Sequence, residues 1–351
     1  QEGFRKVDEN GEVSGGPMYY LRDGLAKYKA AGLGKVMAVL FAILCIGGSF
    51  GGGNMFQANQ AYSQLSGQFP LLADNGPAFG FILAILVGTV IIGGIKSIAN
   101  VTEKIVPFMA GLYVVTALFI IFMNLSEIGN VFKLIFNGAF APDAALGGVI
   151  GVLIQGFRRA AFSNEAGVGS ASIAHSAAKT SEPVSEGIVS LLEPFIDTVV
   201  ICTMTALVII IFNFGGFFEY GGDGSGSVFI DGVAYEGAGI TSKAFAQYIP
   251  YSAIFLTIAV VLFAVSTMIS WSYYGLQSWK FIFGRGKLAD MIYKILFLIF
   301  IVIGAAASMK SIWDFSDAMI FAMIFPNMVG LFFLFPEVKK ELAKYLKAIG
   351  K

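Results

Sequence analysis

Charged residues and histidine are scarce in this 351-residue chain. Asp, Glu, Lys and Arg make up 13% of it, there is one histidine, and hydrophobic residues make up 56%. A soluble globular chain carries about 25% charged residues. The shortage of charge argues against a separate soluble domain, and no basic patch is large enough for nucleic acid binding. The composition predicts an all-α polytopic membrane protein.

The chain also has few cysteines, and its opening residues lead us to expect no signal peptide. Cys45 and Cys202 each lie within an apolar segment, as is typical of small core residues rather than of a disulfide or metal pair. No apolar run precedes Gly34, and Gln1 is not a start methionine. From this charged opening we expect a fragment that lacks upstream sequence. Without a His/Cys cluster at metal-ligand spacing, we expect no resident metal and no enzyme.

The sequence contains several long apolar runs. A membrane helix needs roughly 20 apolar residues. We count eight candidates: Lys35–Gln64, Pro77–Ile98, Ile105–Leu125, Gly147–Ala177, Val184–Phe214, Pro250–Trp271, Met291–Ser308 and Phe315–Phe335. They predict a cytoplasmic opening segment (1–34), a transmembrane domain (35–335) and a cytoplasmic amphipathic tail (336–351) that lies along anionic lipid of the bilayer.

The basic residues alternate between the two faces. Of 23 Lys and Arg residues, 18 fall on the two ends and alternate loops, three fall on the other loops, and Arg158 and Arg159 lie inside a span. The positive-inside rule then places both ends in the cytoplasm of a multi-pass cell (inner) membrane protein. The outside loop 215–249 resembles a calcium loop around Asp223, but it lacks the required glycine and glutamate, so we expect no calcium site.

The fourth span holds polar groups that hydrocarbon cannot solvate. They are Arg158, Arg159, Ser163, Asn164 and Glu165, and Gly167 and Gly169 follow them. We expect the helix to unwind near Ser163–Gly169 and to offer its backbone, with Ser163 and Asn164, to a zwitterion or cation. The two arginines need a partner, for which Glu165 is a nearby candidate. An ion pair that only locks the packing is an equal alternative.

Two other spans carry polar side chains at helical spacing. Phe56 and Gln60 stand four apart and share a face, so Gln60 either faces a ligand or bonds a neighbouring helix. Thr267 and Trp271 have the same spacing, and hydroxyl oxygens such as those of Ser266 and Thr267 suit sodium, a hard cation. The alternatives are a tryptophan at the membrane interface and hydroxyls bonded to their own helix.

Three titratable residues remain inside or near the spans. Glu193 and Asp197 share a face of the fifth span, where they form a proton site or pair with Arg158 or Arg159. His175 lies near a cytoplasmic end, where a lone histidine is more typical of a structural hydrogen bond than of a proton relay.

Three segments together identify a family. GFRRAAFSNEAGVGSASIAHSAA (156–178), STMISWSYYG (266–275) and GEVSGGPMYY (11–20) resemble the alanine or glycine:cation symporter family of the amino acid–polyamine–organocation superfamily. The resemblance implies the leucine-transporter fold, a ten-helix core of two inverted five-helix repeats. The eight spans then resemble core helices three to ten, and core helices one and two belong to the missing upstream part.

The resemblance also implies which residues face the ligands. On the amino acid side these are Phe56, Gln60, Phe157, Ala161, Thr267 and Trp271, and on the sodium side Ser266 and Thr267. Bulky Phe56 and Trp271 favour a small side chain. Arg158 departs from the family pattern, which leads us to expect a less basic residue before Arg159.

The expected function is a secondary active symporter that couples sodium entry to uptake of alanine or glycine by alternating access. Sodium is the coupling ion, no other cofactor is implied, and no obligate protein partner is evident. The substrate preference among alanine, glycine and D-amino acids stays open. An ion channel would need a continuous polar lining, and a membrane enzyme would rely on Glu193, Asp197 and His175.

Overall fold

The computed structural model is mostly helical and describes residues 4–7, 13–72, 74–140, 148–180, 182–220 and 227–350. Its helices are α1 (17–27), α2 (Ala31–Gln68), α3 (Gly76–Ile91), α4 (Gly94–Met123), α5 (Ile128–Phe140), α6 (Gly148–Ser163), α7 (Ala171–His175), α8 (Pro183–Asn213), α9 (Ala238–Tyr248), α10 (Ser252–Phe283), α11 (Lys287–Ala306) and α12 (Met309–Ala348). Short 3-10 turns lie at Pro70–Leu72 and Leu125–Glu127. Asp223, in the loop for which we expect no calcium site, lies outside the described residues.

Six of the described helices are long and apolar enough to cross a membrane: α2, α4, α8, α10, α11 and α12. The polytopic helical class is therefore confirmed. The second and fourth predicted spans differ from the other six. α3 is apolar but has 16 residues, and the fourth span is divided between α6 and α7. A count of eight membrane crossings stays a prediction.

The first and last segments pack against the helices. β1 (Lys6–Val7) pairs antiparallel with β2 (Val13–Ser14), and α1 buries Met18, Leu21 and Leu25 completely. α12 runs for 40 residues and includes the predicted tail as far as Ala348. The tail is therefore the end of the last long helix, and the Lys27 ammonium of α1 lies 3.4 Å from the Glu337 carboxylate within it.

Two hydrophobic clusters form the interior. The larger one gathers α1, α2, α3 and α11 with the second half of α10 and part of α12. The smaller one gathers α4, α8 and α9 with the first half of α10 and a hairpin of β3 (Ser227–Ile230) and β4 (Val233–Glu236). α10 is thus common to both, with Leu256 buried in the smaller cluster and Met268 in the larger.

Glycines bring α2, α3 and α11 close together. A Cβ added at Gly304 of α11 would lie 2.4 Å from the Met55 Cα of α2, and one at Gly80 of α3 would lie 2.8 Å from the Val302 Cα. Small residues allow such backbone approach between membrane helices. α2 also contains a π-helical turn at Gly51–Met55, so its two halves present different faces to these neighbours.

Candidate functional site

The fourth predicted span is interrupted between α6 and α7. α6 ends at Ser163 and α7 begins at Ala171. Between them the backbone takes left-handed φ values at Glu165 (56°), Gly167 (83°) and Gly169 (98°). The glycines adopt these values without steric cost, whereas a side chain at Glu165 makes that conformation strained. The predicted unwinding is confirmed, and residues 164–170 are called the break below.

Polar side chains from three other elements hold the break in place. The Asn327 amide of α12 donates to the Gly167 carbonyl at 2.8 Å, and the Tyr20 hydroxyl of α1 donates to the Asn327 amide oxygen. The Asn164 amide donates to the Thr198 hydroxyl of α8 at 2.6 Å. The irregular backbone therefore has specific partners within the protein, as polar groups inside a membrane require.

A cavity of about 220 Å³ opens beside the break. Its lining residues are Ser163, Asn164, Glu165, Ala171, Ala174, His175, Glu193, Asp197 and Tyr274. This volume is below the roughly 300–1,000 Å³ of pockets for drug-sized ligands, so it suits a small solute. The carboxylates of Glu165, Glu193 and Asp197 favour a cation or the ammonium group of a zwitterion.

Two of these carboxylates have partners within the cavity wall. His175 Nε2 lies 3.1 Å from a Glu193 oxygen, and its Nδ1 lies 2.7 Å from a Glu186 oxygen. The Ser163 hydroxyl donates to Asp197. The suggested pairing of Glu193 or Asp197 with the arginines is therefore wrong. His175 of α7 thus contacts two glutamates of α8, which matches the structural hydrogen bond expected for it.

The two arginines pair with Asp317 of α12 instead. Arg158 Nη2 lies 2.6 Å and Arg159 Nη2 lies 2.7 Å from the same Asp317 oxygen, and Asp317 is buried. Glu165 is thus not their partner, because the arginine face of α6 is directed toward α12. The sequence analysis missed Asp317, although an acidic residue near the start of an apolar span was a visible signal.

Aromatic rings surround this ion pair. The Phe56 ring of α2 lies 5.3 Å from Phe162 and 4.6 Å from Trp313, between ring centroids. The Arg159 guanidinium carbon lies 4.2 Å from the Trp313 ring centroid, a cation–π distance. Phe56, Phe162, Trp313, Arg159 and Asp317 are called the α6–α12 cluster below. Phe56 therefore lies in this cluster and not in the cavity wall.

Trp271 and Glu165 join α10 to the break. The Trp271 indole donates to one Glu165 carboxylate oxygen at 2.8 Å, and the Ser170 hydroxyl donates to the other. Thr267, one turn earlier on α10, is half-buried. The Ser266 hydroxyl donates to the Phe263 carbonyl of its own helix at 2.9 Å, the alternative weighed for it from sequence.

Of the remaining predicted contacts, Ser163 and Asn164 line the cavity, whereas Gln60, Phe157 and Ala161 do not. Gln60 accepts from the Ala238 backbone amide at 3.3 Å, so it bonds a neighbouring segment. Phe157 is 73% exposed, and Ala161 is half-buried on α6. Within the described residues, no group of His, Cys, Asp and Glu is arranged to hold a metal ion.

Comparison with known proteins identifies the family of this chain. A family model described as the sodium:alanine symporter family matches residues 2–351. The chain is 39% identical to the sodium/alanine symporter AgcS of Methanococcus maripaludis, over 97% of this chain and 73% of that protein. It is 35% identical to the probable sodium/glutamine symporter GlnT of Bacillus subtilis, over 98% of this chain and 67% of that protein. The family model matches almost the whole chain, and both of these relatives are more than 30% identical to it. The chain belongs to the sodium:alanine symporter family.

Proposed function

We propose that this protein couples sodium entry to the uptake of a small neutral amino acid, alanine or glycine, by alternating access in a leucine-transporter-type inverted-repeat fold. Its eight predicted spans are core helices three to ten of that fold. The observation that carries the proposal is the break between α6 and α7 with a cavity of about 220 Å³ beside it. Interrupted helices that line a cavity are the usual substrate sites of secondary transporters.

The amino acid is recognised at the break. Unwound backbone next to Ser163 and Asn164 supplies hydrogen-bonding groups to the substrate carboxylate, and the acidic cavity wall attracts its ammonium group. Phe56, Phe157, Ala161 and Gln60 belong to the wider set of predicted contacts, although in this conformation they do not line the cavity. Trp271 and Tyr274 restrict the space available to the substrate side chain.

Sodium binds at the Ser266–Thr267 region of α10. Hydroxyl oxygens suit a hard cation, and the Thr267 hydroxyl has no hydrogen-bond partner among the described residues. Because the Ser266 hydroxyl is engaged with its own helix, Thr267 is the stronger candidate ligand. Binding of sodium and amino acid is coupled as a free energy shared between two sites.

The α6–α12 cluster closes the outer path. By the positive-inside prediction, Phe56, Trp313 and Arg159 lie toward the outside of the break, whereas His175 lies toward the cytoplasm. On that side of the break, the buried Asp317 carboxylate binds both arginines, and the Trp313 ring packs against Phe56. We therefore assign this conformation to the inward-facing side of the transport cycle.

The test is uptake of radiolabelled alanine by the purified full-length protein in proteoliposomes. An inward sodium gradient is expected to drive saturable accumulation, and replacing sodium with potassium is expected to abolish it. Single-channel currents would favour an ion channel, and chemically altered alanine recovered from the vesicles would favour an enzyme. Equal uptake with and without the sodium gradient would overturn the proposed coupling.

A further inference from the structure

We propose that Glu165 is a positioning residue: its carboxylate fixes Trp271 against the break and thereby sets the largest side chain that the site admits. This inference rests on the proposed function. It differs from a direct substrate contact, because Glu165 acts through the Trp271 indole. Both carboxylate oxygens are occupied, one by the indole of α10 and one by the Ser170 hydroxyl just before α7.

Trp271 is confined on its other side by glycines of α2. A Cβ added at Gly53 would lie 2.3 Å from Trp271 Cγ, and one added at Gly48 would lie 3.4 Å from Trp271 Cζ3. The indole is 3% exposed. It is therefore held between the π-helical turn of α2 and the break, and the bond to Glu165 is its only polar contact among the described residues.

The Trp271 indole transmits this constraint to the cavity. Its ring packs edge-on against Tyr274, with ring centroids 5.4 Å apart, and Tyr274 lines the cavity together with Glu165. A buried hydrogen bond is costly to break, because the separated donor and acceptor lose their partners, so the contact holds α10 and the break at a fixed separation. A shift of the Trp271 indole would therefore change the volume of the cavity beside the break.

The experiment compares two replacements of Glu165 that separate reach from charge. Glu165→Gln keeps the length of the side chain and an oxygen that accepts from the indole. Glu165→Asp keeps the charge but shortens the side chain by one methylene, so the bond to Trp271 is lost. Trp271→Phe removes the donor and keeps an aromatic ring. Each variant is assayed for sodium-driven uptake of alanine and of a leucine-sized competitor.

Positioning predicts that E165D and W271F behave alike. Each is expected to raise the alanine KM by up to about tenfold, the upper end of the effect of losing one hydrogen bond, and to reduce the preference for alanine over leucine. The double variant is expected to be no worse than either single one. E165Q removes a carboxylate from the cavity wall, so its alanine KM is expected to rise, but its preference for alanine over leucine is expected to stay within about twofold of wild type. A changed amino acid preference in E165Q together with a wild-type preference in E165D would overturn the proposal, since the reach of the side chain would then not set the selectivity.

Trp279→Phe is the matched control on the same helix. The Trp279 indole nitrogen is buried and has no hydrogen-bond partner among the described residues. The same replacement there therefore removes no polar contact. W279F is expected to keep the alanine preference, and a loss equal to that of W271F would contradict the specific role of the Glu165 contact.

A spectroscopic readout separates this inference from the proposed function. The chain has three tryptophans, so W279F/W313F leaves Trp271 as the only one. In that background E165D is expected to shift the emission maximum and increase acrylamide quenching, whereas E165Q is expected to do so much less. Fluorescence indifferent to E165D would overturn the positioning role. A fluorescence response in a protein that does not transport alanine would overturn the function alone.

Discussion

At the scale of single residues, the missing side chain of Gly53 decides where Trp271 can sit. We expect Gly53→Ala to force the indole away from α2, because the new Cβ would lie 2.3–2.6 Å from three Trp271 atoms. Overpacking of this kind costs about 1–3 kcal/mol. The thermal unfolding temperature in detergent and the rate of alanine uptake should both fall. Gly67→Ala, on the same helix with no atom within 4 Å of the new Cβ, is the control and should leave thermal stability unchanged or slightly raised.

The two hydroxyls of the predicted sodium region are not equivalent. Thr267→Ala is expected to raise the sodium concentration for half-maximal uptake roughly tenfold, equivalent to about 1.4 kcal/mol, because it removes the hydroxyl that has no protein partner. Thr267→Ser should restore sodium dependence. Ser266→Ala should have the smaller effect, since that hydroxyl already donates to Phe263. A larger effect at Ser266 than at Thr267 would contradict this assignment.

Residue spacing predicted shared helix faces but not the neighbours of those faces. Phe56 and Gln60 share a face of α2, yet Phe56 packs on Trp313 while Gln60 bonds the backbone near α9. Period and polarity are local properties of a sequence. The partner across an interface depends on the register of two helices, which a single sequence does not encode in any short pattern.

At the scale of elements, the break was the most predictable feature. Charged residues followed by Gly167 and Gly169 in an apolar setting leave few alternatives, because a continuous helix would expose the charges to lipid and gain nothing from the glycines. The end of α12 was less predictable. Neither Pro326 nor Pro336 interrupts it, so a tail expected as a separate element is continuous with the last long helix.

The contact between α11 and α2 depends on Gly304. A Cβ there would lie 2.4 Å from the Met55 Cα, a backbone atom that cannot swing aside. We expect Gly304→Ala to separate the two helices, to lower the free energy of unfolding by at least about 1–3 kcal/mol and to reduce uptake. Gly111→Ala of α4 meets no atom within 4 Å and should leave the melting temperature unchanged. Equal melting temperatures for both variants would refute the close approach.

At the scale of the whole molecule, Asp317 joins the second half of α6 to α12 through Arg158 and Arg159. Asp317→Asn leaves Arg158 and Arg159 without their anion. The cost should be below the 3–5 kcal/mol of a fully buried pair, because the arginine side chains are 45% and 35% exposed. We expect the α6–α12 cluster to loosen and the protein to spend more time open to the outside.

Cysteine labelling measures this opening. In a background without Cys45 and Cys202, Phe56→Cys should react faster with an impermeant maleimide added outside when Asp317→Asn is present. Asp314→Asn is the matched control one turn away on α12, since Asp314 is exposed and pairs only with Lys310 among the described residues. Labelling rates that rise equally in both variants would show that the effect is not specific to the ion pair.

The long-range ion pair of Arg158 and Arg159 with Asp317 could not be predicted from the sequence. Glu165, Glu193 and Asp197 were all nearer in sequence to the arginines than Asp317, yet none of them pairs with Arg158 or Arg159. Chain proximity favours local partners, but helix packing brings residues about 160 positions apart into contact. The class of protein and the location of the break followed from composition and pattern, whereas the choice of partner followed from the fold.

The sharing of α10 between two hydrophobic clusters limits how this protein can rearrange. Leu256 is packed into one cluster and Met268, three turns further along, into the other. If one cluster rotates as a rigid unit, its interface with α10 must slip while the opposite end of that helix stays anchored. Interior packing resists gradual deformation, so α10 has to move between distinct packing arrangements. The side-chain contacts along this one helix then set the activation barrier for the conformational change.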